Sequence, residues 1–193
     1  MRAFSELFSI LFIGLLVGGC LAWLSVQNNH GFGTLTIGQW TAWPLAGSQQ
    51  ADPYSKAKVA ADGDVPLGAA EGLAFHARTD ERGNPLERNC QYRIEGSTPT
   101  ARLWTLAAHD LNEQVLYNPD GLPSSLVSRS LLRAPDGSFV VSAGPVFTSG
   151  NWLEVQGSGK FQLIMRLYDT PITSTGQVSD AKMPVLALQD CIQ

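Results

Sequence analysis

Several stretches of this sequence combine residue types and spacings that could do chemistry. "GSGK", Gly157 to Lys160, has the glycines and the lysine of a loop that cradles a phosphate in backbone amides. Such a loop requires a further glycine where Glu154 stands, a Ser or Thr where Phe161 stands, and a helix opening behind it. Instead "FQLIMRLY" follows, with Phe161, Leu163, Met165 and Leu167 on one face of a strand and Gln162, Ile164, Arg166 and Tyr168 on the other. The spacing therefore predicts a glycine turn feeding a core strand. "GFG" after the first apolar run fails in the same way as a dinucleotide fingerprint, because Thr36 holds the place of its third glycine.

The histidines His30, His76 and His109 are dispersed, and none has a second ligand type at metal spacing, so no metal site is expected. His109 beside Asp110 pairs a base with a carboxylate, but strand neighbours point to opposite faces, and in a turn both would be solvated. No Ser sits in a nucleophile-elbow pattern, and no motif requires a cofactor. Arg166 is flanked by Ile164 and Tyr168 on one strand face, where a guanidinium either pairs with an internal carboxylate or lines a concave surface. In the second case Arg166, Trp152 and Tyr168 would form a stacking and hydrogen-bonding patch for a sugar or an acidic ligand.

Those residues need elements to position them. The chain has 193 residues, 44% of them apolar, which suits one domain with a core of its own. A net charge of −4 supplies no basic field to gather nucleic acid. Leu7 to Val26 is uncharged and long enough to cross a bilayer, so residues 1–29 read as a membrane anchor with its linker and residues 30–193 as an exported β-rich domain. Arg2 before the span favours a cytoplasmic N-terminus, which places the remainder in the periplasm behind an inner membrane. "VGGC" offers an alternative, a lipoprotein anchored at Cys20. Cys90 and Cys191 are then left as an even pair in an oxidising compartment, where a disulfide is expected. Trp40 and Trp43 suit either a membrane surface or the covering of a sheet edge.

Beyond a first strand around Thr34 to Ile37, one short soluble helix is expected, capped by Asp52, with Pro53 at its first position and Gly63 as its stop. From there the pattern alternates with period two. "LAFHARTD", "CQYRIEG" and "ARLWTLAA" each place apolar residues on one face, Val115 to Tyr117 reads as a returning strand, and Asp136-Gly137 as a hairpin turn. The fold class is mainly β, an antiparallel sandwich or barrel-like domain.

"ARLWTLAAHDLNEQVL", "SLVSRSLLRAPDGSFVV" and "GNWLEVQGSGKFQLIMRLYDTP", in that order, resemble the domain-of-unknown-function family 1214 over roughly Cys90 to Pro171. The resemblance implies an antiparallel β-sandwich, often paired with a second domain of unknown function; here an anchor and a short leader stand in that partner's place. It also implies that Trp104, Arg129, Asn151, Trp152, Arg166 and Tyr168 occupy recurring positions, as ligand-binding residues or as parts of the frame. Two functions follow. One is a single-pass envelope protein whose sandwich binds a protein, glycan or lipid partner; the other is a hydrolase or carbohydrate-modifying enzyme with an Arg, His and carboxylate site.

Overall fold

The computed structural model describes residues 2–27, 33–62, 66–68, 71–122, 124–172 and 181–192. Helix α1, Arg2–Gln27, contains the one stretch among them long and apolar enough to cross a membrane, the 22 residues Phe4–Ser25. Helix α2, Pro53–Asp62, begins as its sequence dictates: Asp52 Oδ1 accepts from the amides of Tyr54 (2.9 Å) and Ser55 (3.1 Å), satisfying donors that the first turn leaves open. The expected stop at Gly63 lies outside the described residues.

The rest is strand. β1 (Leu35–Ile37), β2 (Trp40–Ala42), β3 (Gly72–Ala77), β5 (Leu103–His109), β6 (Ser125–Val127) and β9 (Gln162–Tyr168) form a six-stranded sheet in the order β1-β2-β3-β9-β5-β6. β4 (Cys90–Gly96), β7 (Phe139–Gly144), β8 (Asn151–Glu154) and β10 (Val185–Cys191) form a four-stranded sheet in the order β10-β4-β7-β8. The alternation read from the sequence decides what lies between them. Phe75, Trp104, Leu106, Leu163 and Met165 from the first sheet meet Tyr92, Ile94, Val141, Leu153 and Leu186 from the second in one buried cluster. The fold is a sandwich and not a closed barrel.

Three local features differ from the sequence reading. β7 and β8 run parallel, with Val141 opposite Asn151, although every other pairing is antiparallel. Val115 to Tyr117 forms no named strand: His109 and Val115 make one bridge, and the Asn118 side chain then turns the chain by accepting from Leu122 N at 2.9 Å. The run before Asp136-Gly137 makes a turn but no hairpin partner, because the Asn151 side chain takes both Leu132 N–H (2.7 Å) and Leu132 C=O (2.8 Å). Trp40 is fully buried and donates from Nε1 to Pro184 O at 2.7 Å, so it belongs to the core and not to a membrane surface.

Cys90 and Cys191 stand opposite each other on β4 and β10 and form a disulfide across 101 residues of chain. "GSGK" is an exposed turn with Gly157 and Gly159 at φ of 100° and 90°; Phe161 N then donates to Leu86 O at 3.0 Å as the chain enters β9.

Candidate functional site

β9 is the middle of the six-stranded sheet, and its second face points away from the core. Register fixes that face row by row: Arg166 lies between Ala74 and Thr105, Ile164 between His76 and Ala107, and Gln162 beside His109. Polar groups far apart in sequence therefore converge. Arg78 Nε donates to Gln162 Oε1 at 3.0 Å, and Gln162 Nε2 donates to the Asp110 carbonyl at 2.9 Å. His109 Nδ1 donates to the Glu113 carbonyl at 2.8 Å, and because that carbonyl can only accept, the proton of a neutral ring sits on Nδ1. His109 is 2% exposed at the end of β5, so of the two settings the sequence allowed it takes the strand and not the solvated turn.

His76 occupies the centre of the group, with one-tenth of its side chain exposed and the Trp43 ring edge-on at 5.3 Å. Its Nδ1 is buried without a hydrogen bond, and the nearest carboxylate oxygen, Glu113 Oε1, stops at 3.9 Å. Burial pushes its pKa down to about 4, aided by the charges of Arg78 and Arg166 and by His109, and opposed by the hydrogen bond with Gln162. The ring is therefore neutral at physiological pH. Arg166 is partly buried, and among the described residues no carboxylate comes within ion-pair distance of it.

Glu113 reaches this cluster through an unusual backbone. Four five-residue turns share one build: the first residue's N–H donates to the fifth's carbonyl, and the fourth's N–H returns to the first's carbonyl, in Asp80–Asn84, Asp110–Gln114, Asn118–Leu122 and Ala134–Ser138. The fourth residue must adopt positive φ. It is Gly83 (84°), Gly121 (75°) and Gly137 (83°) in three of them, and Glu113 (64°) in the other.

The six residues at recurring positions are not brought together. Arg166 and Tyr168 share the outer face of β9. Trp104 is in the core, its ring 4.9 Å from Phe139 and under the Arg133 guanidinium at 5.6 Å. Arg129 is exposed in the turn after β6. Asn151 and Trp152 belong to β8 on the other sheet, where Asn151 bonds to Leu132 and to Val140 O (2.8 Å) and Trp152 Nε1 donates to Gly144 O at 3.2 Å. Trp152 and Arg166 thus face outward from opposite sheets. His30 lies outside the described residues, and among those described no three His, Cys, Asp or Glu gather as metal ligands.

A cleft of about 360 Å³ on the four-stranded side is lined by Arg93, Arg133, Phe139, Ser142 and Asn151. Its polar groups are committed internally: Arg93 to Glu95, Arg133 to Gly137 O, and Asn151 as above. His76, Gln162 and Glu113 were not singled out as site residues by the sequence; the available signal was that His76 and Arg78 share a strand face, as do Gln162 and Arg166.

The fold and the cluster define a two-sheet sandwich with a polar group set into the outer face of its larger sheet. Residues 71–172 match the family described as "Protein of unknown function (DUF1214)", more than half of the chain, and the protein belongs to that family. The match starts at Glu71 and so takes in β3 together with the segments from Cys90 onward. Among solved structures, the VPA0106 protein from Vibrio parahaemolyticus matches with a TM-score of 0.57 and 19% identity over 73% of this chain and 36% of its own. An uncharacterised protein from Burkholderia cenocepacia matches with a TM-score of 0.44 and 21% identity over 65% of this chain and 31% of its own. The first likeness is one of fold, and the chain spans about a third of the length of each. No curated protein matches in sequence.

Proposed function

We propose that this is a single-pass membrane protein whose sandwich stands on the oxidising side of the membrane, in the periplasm, and binds an envelope partner there without converting it. The observation that carries the reading is the combination of Phe4–Ser25 with the Cys90–Cys191 bridge. A bridge that closes so long a loop persists where thiols are not kept reduced, and one apolar helix is sufficient to hold the domain at the membrane that bounds such a compartment. The binding surface is the outer face of the six-stranded sheet, where Arg166 is partly buried and, among the described residues, has no carboxylate within ion-pair distance. A guanidinium in that position is complementary to a planar anion.

The hydrolase alternative draws on the same histidines and on Glu113. His76 and that carboxylate are 3.9 Å apart, beyond direct proton transfer, so the geometry favours binding over turnover. The test is topology. Intact cells quenched with a thiol-blocking reagent should yield protein whose Cys90 and Cys191 accept a mass label only after reduction, and external protease should reach the sandwich once the outer envelope is opened. A reduced pair in cells, or a sandwich protected on the cytoplasmic side, would overturn the proposal.

A further inference from the structure

We infer that the cleft on the four-stranded side binds a phosphate ester, with Arg93 and Arg133 as its cations and the hydroxyls of Ser142 and Ser149 as further donors. This is a second site, on the opposite sheet from Arg166, and it goes beyond the reading of the six-stranded face. Three observations carry it. The first is charge. The chain as a whole carries −4, yet the lining of this cleft of about 360 Å³ includes two arginines and no aspartate or glutamate. An anion entering it meets guanidinium groups from two elements, Arg93 on β4 and Arg133 ahead of β7, with no carboxylate in the wall to repel it.

The second is that the internal bonds of both arginines leave donors over, because a guanidinium carries several N–H groups. Arg93 spends Nε on Glu95 at 2.8 Å and, with its side chain 46% exposed, keeps its terminal nitrogens for a ligand. Arg133 donates to Gly137 O at 3.0 Å and to Ser128 O at 3.4 Å, and its guanidinium carbon lies 5.6 Å from the centre of the Trp104 ring and 5.7 Å from that of Phe139. Those contacts hold the group in place without neutralising it, since among the described residues no carboxylate comes within ion-pair distance of Arg133. Ser142 Oγ accepts from Gln91 Nε2 at 2.8 Å, so its own proton remains to be donated.

The third is the wall opposite the arginines. Parallel neighbours are ordinarily joined by a dozen residues or more, whereas residues 145–150 alone take the chain from the end of β7 back to the start of β8. Gln91, on the outer face of β4, fastens this crossover by accepting from Val146 N at 3.2 Å. The short path therefore lies over the outer face and brings Thr148, Ser149 and Gly150 against the cleft. Among the described residues the amides of these three have no hydrogen-bond partner. Donors thus come to the cleft from β4, from the turn before β7 and from the crossover. That suits a tetrahedral oxyanion, whose acceptors point several ways, better than a planar carboxylate, whose two oxygens a single guanidinium satisfies.

A phosphorylated sugar and a lipid headgroup both present this chemistry, and the probes separate them. Thermal unfolding of the full chain in a maltoside detergent, at constant ionic strength, is followed with glucose monophosphate, glycerophosphate, acetate and glucose. Both phosphate esters are expected to raise Tm by several degrees with a saturable dose dependence, and acetate and glucose to leave it unchanged. Tighter binding of glucose monophosphate assigns the site to a phosphorylated sugar, and tighter binding of glycerophosphate to a lipid headgroup. An equal rise with acetate, or no rise with either ester, overturns the inference.

Arg93→Gln should weaken both esters at least about ten-fold while leaving the unliganded Tm nearly unchanged, because the exposed pair that it breaks contributes little to the fold. Arg133→Lys, which keeps the charge but loses the planar fork, should weaken them as well. Glu95→Gln frees Arg93 Nε and removes a competing carboxylate, so it should tighten ester binding severalfold. Native affinity in Arg93→Gln, or weaker binding in Glu95→Gln, would overturn the assignment of Arg93. Binding by purified protein on this sheet depends neither on the side of the membrane that the domain occupies nor on Arg166, so failure here and failure of the earlier reading are distinct results.

Discussion

The two outer faces of the sandwich are built from the same alternation but settle their polar groups differently. On the four-stranded face, Gln91 Nε2 donates to Ser142 Oγ at 2.8 Å while its Oε1 accepts from Val146 N at 3.2 Å, and Arg93 meets Glu95 at 2.8 Å. Trp152 there turns its indole N–H to Gly144 O and packs edge-on against the exposed Phe147 at 5.2 Å. On the six-stranded face, among the described residues, no carboxylate comes within ion-pair distance of Arg166 and His76 Nδ1 has no hydrogen bond. A satisfied face stabilises the fold, whereas a buried nitrogen left without a hydrogen bond gives up stability.

The comparison can be broken or sharpened by mutation. The largest effect is expected from Cys90→Ser with Cys191→Ser, which frees β10 at the edge of the four-stranded sheet; chain entropy over this loop predicts a loss of about 4–5 kcal/mol, measured by denaturant unfolding with and without reductant. A smaller effect on the same strand pair would mean that β10 is held chiefly by packing of Leu186.

Next comes pH. The folded His76 titrates at about 4 and an unfolded histidine near 6.5, so between those values the unfolded chain binds the proton that the folded chain refuses. Stability is complete above about pH 6.5, falls as pH drops towards 4, and is down by about 3 kcal/mol below that. His76→Leu should flatten that part of the pH profile of Tm. Asp80 adds to the fall at lower pH still: burial raises its pKa, but hydrogen bonds from the Asn84 side chain and from the amides of Asn84 and Arg82, with the Arg82 charge, outweigh burial and lower it. Protonating it in acid forfeits those bonds.

Asn151→Ala tests the satisfied side directly. It leaves Leu132 N–H and two carbonyls without their partner and should cost about 1–3 kcal/mol in chemical denaturation. The matching change on the other face, Arg166→Met, removes no ion pair among the described residues and should leave stability unchanged or raise it by up to about 1 kcal/mol. Comparable losses from both substitutions would erase the distinction between the faces. The smallest effect belongs to the exposed Arg93 and Glu95 pair, where Glu95→Gln should leave Tm within experimental error.

Much of the frame was legible because it depends on local chemistry. Alternation placed Phe161, Leu163, Met165 and Leu167 in the core, Asp52 and Pro53 started α2, and the glycines of "GSGK" marked a turn and not a phosphate loop. The site was legible only in part. Arg166 was visible as an odd charge on an apolar strand, but its neighbours His76 and Thr105 come from strands that precede it by more than fifty residues, and no local pattern encodes which strands pair. Grouping Arg166 with Trp152 followed nearness in sequence, which a chain crossing between sheets does not preserve.

Sequence alone determined that the chain carries a span-length apolar helix, that its body is pleated, and that two cysteines remain to be joined, since hydrophobic length, periodicity and residue count are properties of the chain itself. The tertiary structure decided which polar groups meet: antiparallel register set His76 diagonal to Arg166, and one five-residue turn delivered Glu113 to them from a third strand end. Those contacts depend on strand pairing across the chain, and pairing is settled by the burial of whole faces and not by any residue's immediate neighbours.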